Sequence, residues 1–270
     1  EIENTVRQDY SFLFTRLCDC FAFVHSSFCS FFSNLIIMVQ KHICFYLLVL
    51  LGISFSSCKK DRFETITKEL NVRDFHKLEI AGEFDIRVVQ GTDFSVRITG
   101  SERDLAELDV QVFDQLLLIE YPDFRLWRKR GTITITMPSL QDMVFAGEST
   151  VAVEGFTETV PVLVETSGES KLYVKMNAPL FQLRASSLSE ITVGGIAGEL
   201  KAETAGAAII DAYQTPVLKG TAVANSQSTI KLHTLQWISA TAAGKSRIYY
   251  KGNPQQKNMV ISGDGRIVQE

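Results

Sequence analysis

From residue 143 onward the chain repeats one order of apolar and polar positions about every nineteen residues. The unit is small-x-small-x-aliphatic, first seen as Gly147-Glu148-Ser149-Thr150-Val151 and again as Gly168-Glu169-Ser170-Lys171-Leu172. It continues through Ser187 to Ile191, Gly206 to Ile210, Ser226 to Ile230, Gly244 to Ile248 and Gly263 to Ile267. The third small residues stand at 149, 170, 189, 208, 228, 246 and 265, so the steps are 21, 19, 19, 20, 18 and 19. Columns two and four places after each anchor are mostly aliphatic, and the column between them is mostly polar. A period of two on both sides of a small-residue turn predicts two short strands per unit, each with one face inward.

One such strand pair cannot bury its own apolar face. Units of this length must therefore stack, each strand pairing with its equivalent one coil away at about 4.8 Å. The expected fold class is all-β, a parallel β-helix or solenoid with two strands per ~19-residue coil. Upstream, alternating runs at 75–80, 84–89 and 94–98, a short helix at 102–107, and further strands at 108–112, 116–120 and 132–136 predict an irregular β cap. Gly82-Glu83-Phe84-Asp85-Ile86 reads as a divergent copy of the repeat turn. Glycine at these turns supplies positive φ, which singles out Gly147, Gly168, Gly206, Gly244 and Gly263 as turn residues; Ser187 and Ser226 depart from the pattern.

The first 58 residues are different material. All five cysteines (Cys18, Cys20, Cys29, Cys44 and Cys58) and nine of the 18 phenylalanines lie there. Met38-Val39-Gln40-Lys41-His42, a mostly apolar run from Ile43 to Phe55, then Ser56-Ser57-Cys58 has the layout of an export signal. The run is shorter than the ~20 residues of a membrane-spanning helix. Small-small-Cys at its end resembles a bacterial lipobox, with Cys58 as the lipid attachment point and Phe55 as a departure from its usual aliphatic residue. The expected divisions are 1–37 as an over-extended reading frame, 38–57 as a lipoprotein signal peptide, 58–64 as a tether and 65–270 as a single solenoid domain. A lipid anchor at Cys58 implies a membrane contact and a cell-envelope location at the outer membrane, facing the periplasm or the cell surface.

Together, the lipobox-like cysteine, the stretch from Phe75 to Gly91 and the serial Gly/Ser-x-Ser turns resemble the auto-transporter adhesin head GIN domain family of Gram-negative bacteria. The resemblance covers about 65–270. It implies a right-handed β-helix related in shape to pectin lyases but without their catalytic residues, an adhesive role, and a trimeric assembly.

Charge and chemistry narrow the function further. Residues 59–270 carry 24 Lys+Arg against 27 Asp+Glu, no field for a nucleic acid to follow. That span holds no cysteine and only His76 and His233, too few ligands for a His/Cys metal site, and no cofactor or metal is expected. Paired carboxylates are the enzymatic possibility. Glu148 and Glu169 occupy equivalent turn positions, Glu165 and Glu203 equivalent outward positions, with Arg184 and Lys201 beside them; a solvated charged face is the simpler reading. The most distinctive non-repeating segment is Tyr121 to Gly131. Its Phe124, Arg125, Trp127 and Arg128 are the candidate contact for a glycan or surface-protein ligand; the rival reading folds Phe124 and Trp127 inward over the solenoid's end. The expected function is a non-enzymatic adhesion or binding module, with a polysaccharide lyase or hydrolase, or a periplasmic structural or signalling partner, as alternatives.

Overall fold

The structure is a computed structural model that describes residues 64–270; the expected leader, signal segment and Cys58 lie outside the described residues. The seven regular units stack in the predicted register. Their first strands are β8 (Asp142–Gly147), β10 (Val162–Thr166), the second half of β11 (Lys171–Ala185), β13 (Ala197–Thr204), the second halves of β14 (Ile209–Ala224) and β15 (Thr229–Gly244), and β17 (Gln256–Gly263). Across the turn lie β9 (Thr150–Thr157), the first half of β11, β12 (Glu190–Gly194), the first halves of β14 and β15, β16 (Arg247–Lys251) and β18 (Arg266–Gln269). All pairs along both walls are parallel.

The aliphatic column is one line through the molecule. Val151 pairs with Leu172, Leu172 with Ile191, Ile191 with Ile210, Ile210 with Ile230, Ile230 with Ile248 and Ile248 with Ile267. All but the last are buried. On the facing wall Met143, Val164 and Leu183 give way to Ala202, Ala222 and Ala240, so the core thins as the coils proceed. In the final coil Val260, Ile261 and Val268 are exposed.

In five of the seven regular units a turn serine satisfies a backbone carbonyl. Ser149, Ser170, Ser189, Ser228 and Ser246 are buried. Their hydroxyls donate to carbonyl oxygens of their own or the preceding turn: Ser149 to Gly82 at 3.0 Å, Ser170 to Gly147 at 3.1 Å, Ser189 to Ser186 at 2.7 Å, Ser228 to Asn225 at 2.7 Å and Ser246 to Ala224 at 2.8 Å. Buried carbonyls need such partners.

Ahead of the regular coils the chain does something the repeat pattern does not announce. β2 (Lys77–Gly82) and β3 (Phe84–Gln90) form a true coil, and Gly82 pairs with Gly147 as the divergent turn predicts. A second coil, β6 (Leu116–Glu120) and β7 (Gly131–Met137), pairs with the other side of β2 and β3. The later segment is thus outermost, and β2–β3 is sandwiched between it and β8–β9. The cap is antiparallel: β4 (Ser95–Ser101) covers β7, β1 (Thr65–Leu70) covers β4, and β5 (Asp109–Phe113) covers β6. A helix, α1 (Glu102–Ala106), joins β4 to the strands of the other wall. The return from β7 to β8 is stapled by the Glu158 carboxylate, which accepts from the Ser139 hydroxyl at 3.0 Å and the Leu140 N–H at 2.8 Å.

Candidate functional site

In the β2–β3 coil three residues, Ala81 to Glu83, link Ile80 to Phe84. In the outermost coil the equivalent positions are Ile119 and Gly131, and eleven residues separate them. The sequence from Tyr121 to Arg130 is therefore an insertion at a turn, and its extra length projects from the capped end.

Its base is held by side chains on three elements. The Tyr121 ring stacks on buried Phe84, centroids 5.6 Å apart at 15°. The Arg128 guanidinium lies 3.9 Å over the Tyr121 ring and donates to Glu107 at 2.7 Å and to the Asp123 carbonyl at 2.6 Å. Arg125 pairs with Asp104 on α1 and with Glu107 at 3.2 Å. Asp104 also accepts the Lys129 N–H at 3.1 Å, and Arg130 reaches Asp85 at 3.2 Å. Burial pushes the Tyr121 phenol above its ordinary pKa; Arg128 works against that shift, and Glu107 and Glu83 reinforce it. With Asp104 only 4% exposed, its charge needs these partners, because an unpaired carboxylate there costs several kcal/mol.

This network divides the four candidate contact residues. Arg125 and Arg128 side chains are 21% and 9% exposed and belong to the scaffold. Phe124 is 90% exposed and Trp127 94%, with Leu126 between them at 66%. The inward-folded reading of Phe124 and Trp127 does not describe this structure. Trp127 has φ +65, in the left-handed region where a residue with a Cβ is strained by about 1–2 kcal/mol. The pairs made by Arg125 and Arg128 on either side hold it there. Beneath the finger a cavity of about 470 Å³ is bounded by Pro122, Asp123, Phe124, Gly82, Glu83 and Glu148.

The glycine turns occupy the left-handed region, with φ of +97 at Gly147, +78 at Gly168, +75 at Gly206, +74 at Gly244 and +66 at Gly263. A Cβ at Gly168 would stand 2.4 Å from the Gly147 carbonyl oxygen. Ser187 and Ser226 adopt the same conformation, at +64 and +66. Glu148 and Glu169 sit at the tips of adjacent turns, exposed, in line with Glu83. On the wall Arg184 stands between Glu165 and Glu203, 3.8 and 3.6 Å from them, and Lys201 is 3.6 Å from Glu199. Further along, Glu199, Lys219, Gln236, Trp237 and Gln255 line an open groove of about 700 Å³. His76 lies just ahead of β2 and His233 within β15, and among the described residues no three His, Cys, Asp or Glu side chains cluster to hold a metal. No helix of the described residues is long and apolar enough to cross a membrane.

Sequence reading alone missed Asp104 and Glu107, which grip the finger, and Leu126 at its tip. The signal was there: two acids three residues apart on a short helix, upstream of an arginine-rich loop.

A capped parallel solenoid whose most exposed non-repeating feature is an aromatic finger defines a scaffold of the binding class. The chain belongs to the family described as "Putative auto-transporter adhesin, head GIN domain", whose profile matches residues 74–254. Among solved structures it is similar to a "putative adhesin" from Bacteroides fragilis, at 23% identity and TM-score 0.73 over 77% of this chain and 97% of that one. It is also similar to a "putative lipid binding protein" from Parabacteroides distasonis, at 18% identity and TM-score 0.63 over 77% and 98%. A "putative adhesin" from Parabacteroides merdae matches at 15% identity and TM-score 0.60 over 77% and 97%. At these identities the likeness is one of fold. No curated protein matches the chain.

Proposed function

We propose that the protein is exported, anchored in the cell envelope by acyl chains on Cys58, and works as a non-enzymatic binding module whose contact is the finger at Phe124, Leu126 and Trp127. Membership of an adhesin family supports the binding role. The observation that carries the reading is the division of labour in the finger: Arg125, Arg128 and Arg130 are paired in holding it, and the large apolar side chains are left in solvent. Exposed apolar clusters on a rigid base mark interaction sites. The charged row through Arg184 is internally compensated, so it favours a solvated face over a pair of catalytic carboxylates.

The test is binding of the mature chain to glycan, matrix-protein and lipid arrays, with Trp127→Ala as the comparison and circular dichroism as the check on folding. Loss of binding with an unchanged fold supports the finger; undiminished binding removes it. Mass spectrometry of the envelope fraction, with Cys58→Ala alongside, reads the anchor: the acyl mass on the peptide beginning at Cys58 is expected, and an unmodified thiol would exclude it.

A further inference from the structure

We propose that the partner of the finger is a lipid surface: Phe124, Leu126 and Trp127 seat in the interface of the same membrane that holds the anchor, and so fix the orientation of the solenoid on it. The membrane's being the anchored one rests on the reading of Cys58 above; the lipid chemistry of the contact does not.

Three observations carry this. The first is where the chain enters. The Glu64 carbonyl accepts the Glu102 N–H at 2.9 Å, and Thr65 pairs with Ser101. Glu102 opens α1, which also carries the Asp104 that grips Arg125 and the Lys129 backbone. The entry point and the base of the finger thus hang on the same short helix. Six peptide steps from Cys58 to Glu64 reach at most about 20 Å, whereas the seven regular coils extend away from this end by about 4.8 Å each. A lipid surface holding Cys58 is therefore within reach of the capped end.

The second is the chemistry of the tip. A ring that stacks on a sugar works with free polar groups around it, and a protein hot spot with pairable ones. Here both guanidinium groups beside Phe124 and Trp127 are already engaged, Arg125 with Asp104 and Glu107, Arg128 with Glu107 and the Asp123 carbonyl, while the Lys129 side chain is exposed. What remains to offer a partner is apolar surface with an indole N–H and the Lys129 ammonium two residues away, the composition that sits at membrane interfaces. The third is the conformation of Trp127. A bulky residue is held at φ +65, where its neighbours' ion pairs keep it outward instead of relaxing it onto the cap.

A flexible tether alone leaves the body free to tumble against the membrane. A second apolar contact at the same end removes that freedom and points the coils outward.

The experiment uses the full mature chain, acylated and as the non-acylated Cys58→Ser form, with Trp237→Phe so that Trp127 is the sole indole. Zwitterionic phosphatidylcholine/phosphatidylethanolamine vesicles carrying doxyl labels at shallow or deep positions are the probe. The expected result is a blue-shifted Trp127 emission quenched best by the shallow label and shielded from aqueous iodide, insensitive to salt. Replacing Phe124, Leu126 and Trp127 together by Ser is expected to lower vesicle partition of the non-acylated form, read by sedimentation, by at least about a hundredfold, since three large apolar side chains no longer leave water. Undiminished partition, or a Trp127 of the vesicle-bound acylated chain as open to iodide as in free solution, overturns the proposal. A chain that carries no acyl group on Cys58, yet loses partition with the triple substitution, overturns the anchor and leaves the lipid contact standing.

Discussion

Replacing Ser187 by glycine should make the protein more stable, an unusual direction for a substitution that removes atoms. Ser187 stands at φ +64 and Ser226 at +66, in the column that glycine fills at 147, 168, 206, 244 and 263. A left-handed conformation costs a residue with a Cβ about 1–2 kcal/mol. Glycine relieves that and returns about 0.4–1 kcal/mol of the gain to the unfolded chain as added freedom. Both serines are exposed, and neither hydroxyl has a hydrogen bond among the described residues, so little else is lost. The net for Ser187→Gly is a gain of about 0.5–1 kcal/mol, and for the double variant with Ser226→Gly about twice that. In a body of this size this is roughly 3–6 °C in Tm for the pair. Two controls isolate the cause. Ser187→Ala keeps the Cβ and should leave stability within ~0.5 kcal/mol of the parent. Gly168→Ala imposes the left-handed cost and sets a Cβ 2.4 Å from the Gly147 carbonyl oxygen, so it should lose at least about 2 kcal/mol. Urea denaturation and thermal melts followed by circular dichroism read all four. If Ser187→Gly is no more stable than the parent while Ser187→Ala matches it, φ at this column carries no cost and the account of the turns is wrong.

Three further outcomes are expected. Ser246→Ala removes the 2.8 Å donor to the Ala224 carbonyl and should cost about 1 kcal/mol in the same urea titration, no more, because the column already accepts alanine at 208. Asp104→Asn takes the charge from beneath Arg125 and should lose up to about 3 kcal/mol and raise hydrogen exchange across 121–130, whereas Trp127→Ala should leave stability unchanged within about 0.5 kcal/mol. At alkaline pH, burial and the hydrogen bond to Glu270 hold the Tyr213 phenol protonated well above its ordinary value; its contribution to stability should be full below pH ~10 and fall as the pH rises further and the unfolded tyrosine alone ionises, and Tyr213→Phe should flatten that fall.

The regular coils were legible because a solenoid writes the same environment into the sequence again and again. Val151, Leu172, Ile191, Ile210, Ile230 and Ile248 occupy one physical site repeated, so their spacing is the pitch of the object. The interleaving of the first coils was not legible, for an equally physical reason. Parallel stacking asks only that a neighbour have the same two-strand shape and an apolar inner face. Leu78 and Ile80, Leu117 and Ile119, and Met143 and Phe145 all satisfy it, so the pattern does not rank which lies beside which. The finger was legible as a segment and ambiguous in direction. What decides it is not in the loop: Asp104 and Glu107, some twenty residues upstream, turn the arginines inward and leave Phe124 and Trp127 out.

Stacking carries an electrostatic hazard that bears on how the finger is used. Equivalent positions in successive coils are one strand spacing apart, so a repeated acidic residue makes a column of like charges, which is destabilising. Along the wall the sequence breaks the column, as in Glu165, Arg184, Glu203. At the turn edge it does not: Glu83, Glu148 and Glu169 follow one another at the tips of adjacent turns, and the first two bound the cavity under the finger. Exposure and salt make that tolerable in solution. A strongly anionic surface pressed against the finger would restore the repulsion, since the charges would then meet across a short gap with little intervening water. Phe124 of the tip lines that same cavity, so the acids lie close to any surface the tip meets. Enriching the vesicles in phosphatidylglycerol should therefore weaken the association at low salt, and Glu83→Gln with Glu148→Gln should remove most of that sensitivity while leaving partition into zwitterionic vesicles unchanged. Tighter binding to the anionic vesicles would mean that the cations of the loop, and not its rings, meet the lipid.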